Sequence, residues 1–376
     1  MQLRSIFITV ATLVASASGT AGAYPEFQLA TGNARCGLCH ITPSGGGLIN
    51  DYGRSESGDT ISQFGGNGDF LYGVYEEPSW VKLGVDLRAA FLAKQQVDDP
   101  EYYLFPMQGD TYAWFRFGAW SFYTSVGPRA QVRPERDSVL GRMGAREYWL
   151  MWRPKNTGPY ARAGRFLMPF GLRQPNHRVY TRRDLGLGIW EETYNLTAGV
   201  VENEWEGHAT VFTRVPDALM GNGMRHTGIA ALGEKRIGAD EKLSVGLQGR
   251  AGFGDEDRQY LVGGIGKYWL EGPKVLLMGE LDLGYQDFTF GAAGRPQLAT
   301  WLGARYFPTQ GIMVGAALER FDQDMTVKDV ARDAANVSLQ WFPWAHWELH
   351  LLGQLEFQGD YADPTSTAML QLHYYL

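Results

Sequence analysis

Only two cysteines, Cys36 and Cys39, occur in 376 residues, which excludes a disulfide framework of several bridges. Beyond the first two dozen residues no apolar run approaches the roughly 20 residues that a membrane-crossing helix needs. Basic residues are in the minority, 34 Lys and Arg against 41 Asp and Glu, so there is no electrostatic case for a nucleic-acid partner. Charged residues reach only 20% and are scattered without blocks. Glycine (48) and aromatics (13%, with 12 Trp and 19 Tyr) are plentiful instead, a balance that fits short alternating strands with aromatic ends better than an α/β enzyme.

The first residues read as a secretory signal: Arg4, an apolar stretch from Ile6 to Ala15, then Ala21-Gly22-Ala23 before Tyr24. Cleavage after residue 23 removes one positive charge, leaving 33 basic against 41 acidic residues, net −8. A dozen residues further on the chain spells Cys36-Gly37-Leu38-Cys39-His40. C-x-x-C-H is the attachment signature of one covalent haem c, with a thioether from each thiol and the adjacent imidazole as proximal iron ligand. A structural zinc site needs four ligands, and this neighbourhood offers three at most. A C-x-x-C redox pair is the remaining alternative, but it normally opens a helix within a βαβ pattern that is not visible here. Residues 24–79 show no periodicity and are too few to build much of a core, so a bound haem would have to supply the apolar centre.

After Trp80 the pattern becomes strict two-residue alternation. In 347–358, Trp347, Leu349, Leu351, Leu355 and Phe357 alternate with Glu348, His350, Gln354, Glu356 and Gln358. About sixteen such segments are expected over 80–376, joined by connections that are alternately long (94–104, 128–141, 170–192, 215–223, 288–296, 322–330) and short. An all-β, transmembrane outer-membrane barrel of about 16 antiparallel strands, in contact with outer-membrane lipid of a Gram-negative bacterium, has this layout. A soluble β-sandwich also alternates, but its strands average about five or six residues, whereas these reach about ten or more.

Between Tyr24 and Pro106 there is no methionine and no histidine except His40, so a protein-derived sixth iron ligand has to come from the barrel. His177 is the first candidate, because its loop is the third external connection, which folds into the lumen in general porins. His350, on an expected inward face, is the second. The loop is basic (Arg173, Arg178, Arg182, Arg183), which suits an anionic group inside the barrel or simply a solvated surface. Gly45-Gly46-Gly47 is expected to be a turn and lacks the lysine of a phosphate loop.

The chain resembles the fused monohaem cytochrome-porins of iron-oxidising bacteria. Ala23-Tyr24-Pro25-Glu26-Phe27, Thr31-Gly32 and Cys36 to His40 stand where that family has Ala-x-Pro-x-Phe, Thr-Gly and C-x-x-C-H, with one additional residue between Gly32 and Cys36. The architecture matches along the whole chain and specific residues match between 23 and 40. The resemblance implies electron transfer through the haem, with an extracellular redox substrate such as ferrous iron and a periplasmic c-type cytochrome or other electron carrier as partner. The alternative is a passive porin, or a scaffold for a separate multihaem cytochrome, in which the haem or C-x-x-C is structural. A haem enzyme with an open distal site would need an acid–base constellation that the sequence does not display.

Overall fold

The computed structural model describes residues 25–30, 35–96, 99–128, 143–188, 191–215, 225–238, 240–359 and 364–376. The leader at 1–23 and Thr31-Gly32 lie outside them. The strands are β1 Val81–Gln96, β2 Asp99–Phe117, β3 Trp120–Pro128, β4 Met143–Trp152, β5 Gly158–Phe166, β6 Thr193–Val201, β7 Trp205–Thr213 and β8 Thr227–Ile237. They continue as β9 Leu243–Phe253, β10 Asp257–Leu270, β11 Val275–Phe288, β12 Arg295–Thr309, β13 Ile312–Asp322, β14 Arg332–Trp341, β15 Trp347–Gln358 and β16 Thr365–Tyr375. Each pairs antiparallel with its sequence neighbours, and β1 closes on β16 with Asp86 opposite Tyr375 and Gln95 opposite Ser366. The sixteen strands thus form the closed barrel expected from the alternation.

Register follows from that alternation. Leu339, Leu351 and Leu370 lie side by side across β14, β15 and β16 and are 43%, 50% and 46% exposed, forming part of the lipid-facing belt. On the opposite face Glu348 pairs with His373 and is fully buried. A slip of one residue would turn the leucines into the lumen and the carboxylate toward lipid, so burial specifies the pairing.

One expected loop is a strand. Residues 94–104 were expected to form a long connection, yet β2 begins at Asp99, and Lys94 faces Glu101 while Gln95 faces Pro100. Tyr102 and Leu104 continue the outward alternation, and Pro106 falls at a register shift beside Ala89, where a missing N–H is tolerated. The prolines therefore mark an irregularity within the hairpin, not its end.

The short turns and the last strand's end share a rim with the start of β1, which makes that rim periplasmic. The N-terminal segment closes this end as a plug. Gln63 and Phe64 donate their amides to the carbonyls of Phe342 (2.8 Å) and Pro343 (2.9 Å), and Gln310 Nε2 donates to the Ser62 carbonyl (2.7 Å). From the other side the connection between β5 and β6 turns into the lumen, carrying the short helix Tyr180–Arg183. Its amides donate to inward side chains: Gly171 to Gln248 (2.6 Å), Leu172 to Glu280 (3.0 Å) and Tyr180 to Glu319 (2.8 Å). Met168, Phe170, Tyr180, Leu185 and Leu187 form a buried cluster there, so apolar burial inside the barrel holds the loop that its basic residues left ambiguous.

Candidate functional site

Cys36–Cys39 form a single helical turn, α1, closed by the His40 amide donating to the Cys36 carbonyl at 3.0 Å. Asn50 holds this turn against the next helix, α2 (Asp51–Glu56). Its Nδ2 donates to the Leu38 carbonyl (2.7 Å), its amide donates to the Cys39 carbonyl (2.8 Å), and its Oδ1 accepts from the Gly53 amide (2.9 Å) as the cap of α2. A Cβ at Gly53 would lie 2.4 Å from the Cys39 carbonyl oxygen, so glycine is what permits the approach. Between the two helices Gly45, Gly46 and Gly47 all have positive φ (77°, 83° and 64°), the turn expected of this run.

Both thiols are free. Cys36 is buried, its Sγ accepts from Gln28 Nε2 at 3.0 Å, and Gln28 Oε1 accepts from Lys267 Nζ of β10 at 2.7 Å. Lys267 also pairs with Glu234 of β8 (2.7 Å), and Arg173 of the inward loop reaches Glu206 (3.5 Å) and Glu234 (3.9 Å) while donating to the Ser44 carbonyl. Plug, loop and wall are therefore joined by one buried charged network beside Cys36. Burial raises the pKa of both thiols, Cys39 to about 12, and lowers that of His40 to about 4. A catalytic C-x-x-C pair needs a lowered thiol pKa, so this environment opposes a thiol–disulfide oxidoreductase.

The same environment fits a haem c attachment. The imidazole is neutral, the form that ligates iron, and its Nδ1 is buried with no hydrogen-bond partner while the ring lies against the backbone of Gly46 and Gly47. His177 sits among Arg178, Arg182, Arg88 and Arg146, which with burial push its pKa to about 3. His350 faces Glu348 at 3.8 Å and lines a small cavity with Glu26 and Gln174. Of the remaining histidines, His208 meets the Tyr160 hydroxyl at 2.7 Å, His226 meets Asp257 at 2.7 Å and His373 bridges Glu348 (2.7 Å) and Asp86 (3.1 Å) within the wall, while His346 ties the wall to the plug through the Gly68 carbonyl at 2.9 Å. Gln28 and Lys267 are the site residues that sequence reasoning did not connect, because isolated polar residues far apart in the chain carry no spacing signal, whereas Arg173 belongs to the basic loop expected to suit an anionic group inside.

No protein-family model matches the chain, and no curated protein does. Solved outer-membrane proteins do. The chain is similar to OmpT of Vibrio cholerae at 10% identity and TM-score 0.59, over 80% of this chain and 99% of that one. It is similar to OprB of Pseudomonas putida at 10% identity and TM-score 0.60, over 79% and 94%. A third likeness is to an anion-selective porin from Comamonas acidovorans, at 11% identity and TM-score 0.56, over 79% and 99%. At these identities the likeness is one of fold: the chain has the fold of porin-like outer-membrane β-barrels.

Proposed function

We propose that this barrel carries one covalent haem c on Cys36, Cys39 and His40 and passes electrons between an extracellular donor, such as ferrous iron, and a periplasmic electron carrier. The observation that carries this reading is the placement of both thiols and a neutral imidazole on one turn inside the periplasmic end of the barrel. A bound haem would supply one-electron chemistry there. The chain's own residues do the rest. Cys36 and Cys39 are the tethers, His40 is the proximal ligand, and Gln28 with Lys267 holds the Cys36 sulfur in place. The plug and the inward loop limit water around the site and set a low local dielectric, a lever on redox potential.

The porin neighbours favour a second reading, a passive channel or scaffold in which the plug is structural. One preparation separates the two. If the redox reading holds, purified protein shows a haem-stained band on a denaturing gel, a c-type spectrum that reduces and reoxidises reversibly, and little ion conductance in planar bilayers. Open-pore conductance with no covalent haem would replace it with the second reading.

A further inference from the structure

The side of α1 that carries Gly37 and Leu38, with His40, forms one wall of a cleft of about 450 Å³ at the periplasmic rim. Its other walls are the rim ends of β2, β3 and β4, where Trp114 and Met151 provide apolar surface. Arg35, Arg116, Arg153 and Lys155 all line it. Arg153 donates to the carbonyls of Ile41 (3.4 Å) and Asn156 (2.6 Å), and Arg116 donates to that of Gly118 (3.2 Å). Among the described residues none of the four forms a salt bridge, and the one carboxylate lining the cleft, Asp51, is taken by Lys82 at 2.6 Å.

Mutual repulsion accompanies this arrangement. Burial, with Arg35 and Arg116 nearby, lowers the pKa of Arg153, and Tyr160 only partly offsets it. Carboxylates of Glu241, Glu206 and Glu202 act on Arg35 only from beyond ion-pair distance, and a group of guanidinium forks with no closer counter-charge in a concave site, in a chain of net charge −7, is costly unless an anion completes it. Arg35 and Arg153 are the more enclosed pair, while Arg116 and Lys155 stand exposed at the mouth.

We propose that this cleft binds a small oxyanion of two or more charges, carboxylate or phosphate, arriving from the periplasm. The guanidinium groups of Arg35 and Arg153 grip it, and Arg116 and Lys155 draw it in. The volume lies within the range of small-ligand pockets, whereas docking of a protein needs about 800 Å² of surface on each partner, which favours a small molecule. Because His40 also lines the cleft, the proposal concerns the chain with no haem on that turn, the form in which it is tested.

Calorimetric titration of the full-length protein in detergent, at low salt, with citrate and separately with pyrophosphate, tests it. One-site saturable binding of at least one anion is expected, weakening as salt rises. Preference for citrate would assign the carboxylate source, preference for pyrophosphate the phosphate source. Affinity should fall about tenfold or more in Arg153→Gln, the loss expected of a charge-assisted hydrogen bond, and measurably in Lys155→Gln. Arg258→Gln, on the opposite rim, should bind as the parent does. Lys155 makes no polar contact among the described residues, so its variant should keep the heat-modifiable gel mobility of the folded barrel. The proposal is overturned if neither anion binds up to the millimolar range, if Lys155→Gln and the parent bind alike, or if only an acidic protein binds.

Discussion

Lys267 on β10 and Gln28 in the plug meet at 2.7 Å, and the same glutamine holds the Cys36 sulfur at 3.0 Å. A barrel residue 239 positions away in sequence thereby helps to place the first thiol of the C-x-x-C-H motif. Lys267 is buried with Glu234 as its charged partner, so the contact depends on an ion pair that cannot turn to water.

Changing Lys267→Met alone strands the Glu234 carboxylate with only the more distant Arg173 for compensation. Breaking a buried pair in this way costs about 3–5 kcal/mol, whereas the double change Lys267→Met/Glu234→Leu should recover much of that loss. Urea unfolding in detergent measures both. Equal stability of the single variant and the parent would show that the pair is not what positions Gln28.

Replacement of both cysteines, Cys36→Ala/Cys39→Ala, should abolish haem staining on denaturing gels while leaving the barrel's gel mobility unchanged. Staining that persists would place the covalent attachment elsewhere or show the stain to be adventitious.

Leu351 faces lipid between Leu339 and Leu370, near the middle of three neighbouring strands. Leu351→Arg should cost about 2–4 kcal/mol if that belt lies at the bilayer midplane. Leu351→Phe, which keeps the face apolar, should cost far less. Reversible unfolding in lipid vesicles reads the difference, and indistinguishable midpoints for the two variants would mean that this face does not meet lipid.

Acid should loosen the plug in haem-free protein. His346 is buried and His40 half-buried, and loss of hydration lowers both pKa values from 6.5 to about 4, so the unfolded segment takes up protons first as pH falls. The stability they confer is fully present above pH 6.5 and declines as pH drops through that window toward about 4. Hydrogen exchange across residues 35–79 should therefore quicken between neutral pH and about pH 5, after correction for intrinsic rates. A plug equally protected at both would remove these histidines as a cause.

The barrel was largely legible because its signal is local and repeated. In β15 the run from Trp347 to Gln358 shows the same alternation in sequence and in burial, and fifteen other strands reinforce it. Residues 94–104 were expected as a long connection, whereas β1 and β2 pair through them, with Pro100 near the hairpin end and Pro106 at a register shift. The motif itself was legible from spacing, since residues i, i+3 and i+4 share a side of one helical turn. Its surroundings were not: Gln28, Ser44, Arg173 and Lys267 look like ordinary polar residues until the fold joins them.

Short-range pattern thus set the strand period, most turns, and the grouping of Cys36, Cys39 and His40. Tertiary structure alone decided where these features went. Only closure of β1 on β16 creates an interior that encloses the inward loop and the plug together. Within that interior, polar groups deprived of water must find partners, so Lys267 turns to Gln28 and Arg173 to Ser44. At the rim, Arg35, Arg116, Arg153 and Lys155 gather from three separate stretches of chain, and among the described residues none of them forms a salt bridge. No local pattern encodes such a meeting, because its energy depends on distances that exist only once the barrel has closed.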